Sequence, residues 1–246
     1  MSKAQIRPAR RKSPESFSLR RRLAAHWRLK LVSVLGFAVI FFTGYFLLLK
    51  YPVFAVTEMP LTVLDRLVPL QPSTLMLYVS LWIYVPLVPG LMTETWEIRD
   101  FYRTAGLICL IGFTVFFFWP TAVPSSALSW AGHPAFARLK AADDTGNACP
   151  SLHVAFAVFC AGLLQRQLRN MPGSSILRFV NWLWCAAIAY STLATRQHVA
   201  VDVLAGTALG AAGIGFHCWR EARTREAAAA VRRSRSPSVG PASVLR

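Results

Sequence analysis

Three side chains stand at spacings that could do chemistry. His198 and Asp202 are four residues apart, which on a helix stacks them on one face with their Cβ atoms roughly 5–6 Å apart. An Asp one turn from a His can accept the imidazole N–H, fix the tautomer and leave the other ring nitrogen as a free lone pair, a nucleophile or a base. His153, 45 residues earlier, can supply the complementary group, because a protonated imidazole donates to a leaving group. Together the three suggest group transfer. Two other readings compete. The histidines could be local helix caps, which suits either one alone but not both together with Asp202. The trio could also offer three N/O ligands with an open position to zinc, although the chain has no His-Glu-x-x-His pattern. We rank metal-free transfer first and expect no metal and no cofactor.

The elements that position these residues lie in lipid. Of 246 residues, 54% are hydrophobic and 15% charged, yet the net charge is +16. The charge sits at the ends: residues 1–30 hold ten Lys and Arg against Glu15, and residues 219–246 hold seven Arg against Glu221 and Glu226. The stretch 31–218 has ten basic and eight acidic residues, about one charge in ten where a soluble domain carries nearer one in four. This composition excludes a soluble enzyme, a disordered chain and a nucleic-acid-binding domain with a basic face. Six apolar stretches approach the roughly 20 residues that a bilayer-spanning helix needs: about 31–49, 73–92, 104–119, 150–165, 176–195 and 198–218. The fold expected is all-α, a polytopic membrane bundle of six transmembrane helices over 31–218. Basic tails 1–30 and 219–246 flank it, the second of them disordered.

Six spans put both tails on one side, and Lys and Arg concentrate on the cytoplasmic face. With the tails inside, that face holds 22 of the 27 cations and leaves Lys50, Arg66, Arg138, Lys140 and Arg196 outside. His153 and His198 then stand at the outer ends of their spans, at one membrane depth. Ionisable groups there are functional candidates by default. His26 and His217 fall on the cytoplasmic side and read as solvated residues, His133 as a turn residue between Gly132 and Pro134. The five cysteines read as small packing residues, since only Cys149 reaches the outer face and it has no partner there.

Around the three residues, Asn147-Ala148-Cys149-Pro150-Ser151-Leu152-His153 and the stretch from Ser191 through Arg196-Gln197-His198-Val199-Ala200-Val201-Asp202 carry a Pro-Ser-x-His and a Ser-x₆-His-x₃-Asp pattern. In these the chain resembles the type 2 phosphatidic acid phosphatase superfamily. It departs from that pattern in three ways. The Lys-x₆-Arg-Pro segment that supplies two phosphate-binding cations is missing from the outer face, the usual Ser-Arg pair reads Ser191-Thr192, and the usual glycine is Leu152. These changes, with an Asp65-x₃-Pro69-x₂-Pro72 segment, look like the inositolphosphotransferase- and sphingomyelin-synthase-like branch.

The resemblance implies a lipid phosphate substrate, a phosphohistidine at His198, orientation by Asp202, and acid–base work by His153, all without a metal. The missing cations need replacing, because phosphoryl transfer depends on positioning and charge stabilisation. Arg196 is the first candidate, then Lys140 and Arg138, then Arg66; a solvated interfacial charge is the plain alternative for each. Ser151 could bind phosphate or cap its helix, and the backbone N–H groups of the helix that begins at Pro150-Ser151 offer another anion site. Asp143, Asp144 and Asn147 read as loop-ordering groups or contacts to a headgroup hydroxyl. With water as acceptor the protein is a lipid phosphatase acting on a phosphatidate-like or polyprenyl phosphate or diphosphate; with an alcohol it is a headgroup phosphotransferase. A lipid-binding pseudoenzyme or a transporter is the alternative of another class. The working expectation for location is a bacterial inner membrane with a periplasm-facing site; the oligomeric state is left open.

Overall fold

The computed structural model describes residues 19–124, 146–169, 171 and 173–235, with side chains to 227. The described chain is almost wholly helical: α1 (Leu19–Ala24), α2 (Trp27–Lys50), α3 (Val63–Leu67), α4 (Leu75–Val79), α5 (Leu81–Gly90), α6 (Thr95–Phe118), α7 (Leu152–Leu168), α8 (Ser174–Ala194) and α9 (Ala200–Arg235). Five helical stretches are long and apolar enough to cross a membrane: Trp27–Lys50, Pro72–Gly90, Thr95–Phe118, Ser174–Ala194 and Ala200–Ala227. The sixth expected span, α7, is shorter at 17 residues, about 26 Å against a hydrocarbon core of about 30 Å.

Twelve of the 17 residues of α7 are buried, His153 among them. It runs through the middle of the bundle, against α9, α8, α5 and α6, which is why it can be rich in Ala and Gly and still be apolar enough. Its closest neighbour is α9. A Cβ on Gly206 would collide with the carbonyl of Ser151, and one on Gly210 with that of Ala155, so the absence of side chains lets the two backbones touch. Small residues play this part wherever helices meet inside a membrane. By contrast only Lys30 of α2 is buried; Phe37, Phe41, Tyr45 and Leu48 pack half-buried on the core, and the opposite face is exposed.

The second stretch is not one smooth helix. A 3-10 turn at Pro72–Thr74 leads into α4, and α5 begins after a break at Ser80. There the hydroxyl donates back to Leu77 O at 2.6 Å and accepts Trp184 Nε1–H at 2.8 Å. At the end of the bundle that carries His153 and His198, two short strands, β1 (Thr57–Glu58) and β2 (Thr121–Ala122), pair in parallel, a small addition to the all-α expectation.

Two expectations about the tails are corrected. α9 does not stop near 218 but continues to Arg235, so its 36 residues extend about 54 Å. Alanine favours helix, and Glu221 ties the extension by ion pairs to Arg225 one turn on and to Arg166 of α7. His217 is therefore buried rather than solvated. Its Nδ1 lies 3.3 Å from Asp100 and 3.4 Å from Thr104, while Arg220 Nε donates to the other oxygen of Asp100 at 2.9 Å. Residues 19–30 are likewise structured: Lys30 is buried, and its Nζ donates to Gly90 O at 2.8 Å and Arg22 O at 2.6 Å.

Candidate active site

The loop before α7 is fastened from two sides. Ala148 N donates to Thr121 O at 3.1 Å and Cys149 N to Thr121 Oγ1 at 2.8 Å, anchoring it to β2. Ser151 then caps α7: its Oγ accepts Val154 N–H at 3.2 Å, so the capping reading describes what this buried hydroxyl does. Ser151 N donates to Asp202 O at 3.1 Å, which brings the starts of α7 and α9 together.

His198 follows a tight exit from α8. Gln197 N and His198 N both donate to Thr192 O, at 3.0 and 3.1 Å, and Arg196 adopts a left-handed φ of 55°. At the start of α9, Asp202 Oδ2 accepts Val199 N–H at 3.0 Å and lies 3.6 Å from His198 Nδ1. That separation is an ion-pair distance rather than a hydrogen bond, and catalytic hydrogen bonds are commonly long before substrate is bound. His198 Nδ1 and Asp202 Oδ1 have no hydrogen-bond partner among the described residues. A slight ring rotation would join Nδ1–H to the carboxylate and leave Nε2 as the free lone pair.

His153 is oriented differently. Its Nε2 is 2.9 Å from Tyr78 O; a carbonyl only accepts, so this nitrogen carries the hydrogen and Nδ1 is left for proton exchange. The ring stacks on Tyr78, with centroids 4.0 Å apart and planes 12° from parallel, and meets Trp82 edge-on.

Both imidazoles line one cavity of ≈ 370 Å³ between α2, α4–α5 and α7. Asn147 lies at the same end, with a φ of 52° and Nδ2 donating to Tyr45 O at 3.0 Å. The remaining wall is aliphatic and aromatic.

Residues 53–216, which hold Ser151, His153, His198 and Asp202 but not the α2 wall of the cavity, match the family described as the PAP2 superfamily. The chain belongs to the PAP2 superfamily. No curated protein and no solved structure matches it. Membership supports a lipid phosphoesterase of the phosphatase or phosphotransferase type, carried by an integral membrane protein.

Arg196, the first candidate for the phosphate, turns away: its guanidinium donates to Asp65 O at 2.6 Å and Val68 O at 2.9 Å. Among the described residues that line the cavity there is no Lys or Arg. Lys140, Arg138, Asp143 and Asp144 lie outside the described residues. No group of three His, Cys, Asp or Glu side chains that could hold a metal ion occurs among the described residues, the His153, His198 and Asp202 set included.

Two residues of this PAP2 site were missed in the sequence reading. Asp65, noted there only as part of a familiar segment, is buried; its Oδ2 accepts Thr62 N–H and Oγ1–H, both at 2.7 Å, and its Oδ1 accepts Ala200 N–H at 2.7 Å. The Thr62-x-x-Asp65 spacing, close to a capping box, is a signal for the first half of this role only. Tyr78 acts through its main-chain oxygen and its ring face, for which a sequence holds no local signal.

Proposed function

We propose that the protein is a membrane-embedded lipid phosphatase working through a phosphohistidine on His198. In this reading the bundle has six spans, both termini are cytoplasmic, and the site opens on the periplasmic face of a bacterial inner membrane. His198 Nε2 attacks phosphorus in line, and the bond from phosphorus to the lipid oxygen breaks. The departing oxygen takes a proton from His153 Nδ1 and leaves as the lipid alcohol. His153 then accepts a proton from water as its oxygen attacks phosphorus. The N–P bond breaks, and phosphate departs with His198 restored. Asp202 holds His198 in the reactive tautomer and offsets the charge that develops on the ring. Free N–H groups at the start of α7 and Lys140 are the proposed contacts to phosphate, while Arg196 holds the loop before His198.

The observation that carries this reading is the meeting of His153 and His198 on the wall of one otherwise apolar cavity. Such a pocket suits a substrate with a lipid body and a single reacting head. The test is a panel of lipid phosphoesters offered to purified protein in micelles with chelator, with released phosphate and new lipid products both followed. Turnover that vanadate inhibits and His198→Ala abolishes is the expected result. Full activity in His198→Ala overturns the nucleophile, and loss in chelator that zinc restores overturns metal-free catalysis.

One observation favours headgroup transfer as a second reading. With no Lys or Arg among the described lining residues, a diester, with less phosphate charge to offset, fits better than a monoester. Transfer to an alcohol, seen as a new phospholipid without released phosphate, would decide for it.

A further inference from the structure

The cavity extends well past the two histidines. Along α2 its wall runs from Phe46, level with the histidines, to Val34, a distance of about 18 Å at the rise of a helix. On the facing side it runs from Tyr78 to Pro86, and Tyr102 of α6 helps to close the far end. One leaflet of a bilayer core is about 15 Å deep, so the cavity has the depth of a hydrocarbon tail and far exceeds that of a headgroup.

We propose that this cavity houses a hydrocarbon tail of the substrate inside the protein, and that the length of this tail is measured by the floor at Val34, Pro86 and Tyr102. This rests on the phosphoesterase reading above and deepens it. The polar groups fit the assignment. Asn147, His153 and His198 gather at one end, where the phosphate reacts, while the side chains that face the tail between them and the floor are aliphatic or aromatic rings. Burying a tail there removes its apolar surface from water without asking any polar group to lose a partner.

The test compares kcat/KM for alkyl phosphates from octyl to octadecyl, a lyso-phosphatidate and a diacyl phosphatidate, all at one surface fraction in the same micelles. The expected profile rises with tail length to an optimum and falls beyond it. Filling the floor in Val34→Phe moves the optimum to shorter tails, and deepening it in Val34→Ala moves it to longer ones. Turnover that is equal at every tail length, or an optimum that neither variant moves, overturns the tail assignment and leaves the phosphoesterase reading standing. No turnover on any member of the panel overturns that reading and this proposal with it.

Discussion

Arg196 and Asp65, 131 residues apart, hold each other's surroundings in place. The guanidinium binds the carbonyls of Asp65 and Val68, and the Asp65 carboxylate binds the N–H of Ala200. His198 lies between Arg196 and Ala200, so α3 clamps the chain on either side of the candidate nucleophile. Arg196→Lys removes the fork that spans two carbonyls. We expect kcat to fall about 10- to 100-fold with KM and vanadate inhibition little changed. An equal rise in KM and in the vanadate constant would instead place the guanidinium on phosphate.

Asp202→Asn separates geometry from charge. The amide oxygen can still accept Val199 N–H, so melting temperature should stay close to wild type. That oxygen is also the atom 3.6 Å from His198 Nδ1, so the tautomer is held while the negative charge beside the ring is lost, and activity should drop by about 10²–10³. Phosphate release and thermal melting of the same preparations check this.

His153 as a proton donor predicts dependence on the leaving group. His153→Ala should lose about 10²–10⁴ on an alkyl phosphate. On p-nitrophenyl phosphate, whose leaving group departs without a proton, the loss should be far smaller. An equal loss on both substrates would remove His153 from proton transfer.

The seam between α7 and α9 can be tested with one methyl group. Gly206→Ala drives a Cβ into Ser151 O, whereas at Gly36 no atom lies within 4 Å of the added carbon. The first change should cost about 1–3 kcal/mol and lower turnover, while Gly36→Ala should leave melting and activity as they are.

Cys149 supplies a pH test. Burial pushes its thiol up to about 11, and the charge of Asp202 adds to the shift. The folded site therefore holds the neutral thiol more tightly than the unfolded chain does. That contribution is fully present below the ordinary thiol range near 8.5 and is lost as pH rises towards 11. Maleimide should modify Cys149 slowly at pH 7 in folded protein and quickly after denaturation, as mass spectrometry of the peptide would show.

The helices were legible because runs of apolar residues mark them locally. The spacing of His198 and Asp202 pointed to their nearness, but His198 stands in the turn before α9 rather than on a helix, and the pair approaches to 3.6 Å through that turn. Arg196 was misjudged because its direction is set by carbonyls of α3, far away in sequence. His217 was misjudged because the fall in hydrophobicity near 218 looked like the end of a helix. Side-chain pairs such as Glu221 with Arg225 and Arg166 carry the helix past that point. The contribution of Tyr78 is a main-chain oxygen, available in any residue type, so only the packing of α4 on α7 could reveal it.

The backbone contact at Gly206 and Gly210 has a consequence for how the protein meets membranes of different thickness. A bilayer too thin or too thick for a bundle is accommodated by tilt, and tilt is taken up first by helices with loose neighbours. Here α2 buries none of its apolar residues fully and packs on the bundle along one half-buried face, while α7 and α9 meet backbone to backbone at the end that bears the histidines. Lipid composition should therefore alter the width of the tail cavity, of which α2 is one wall, before it alters the distance between the histidines. Bilayer thickness would then tune which substrates enter and leave the chemical step as it was.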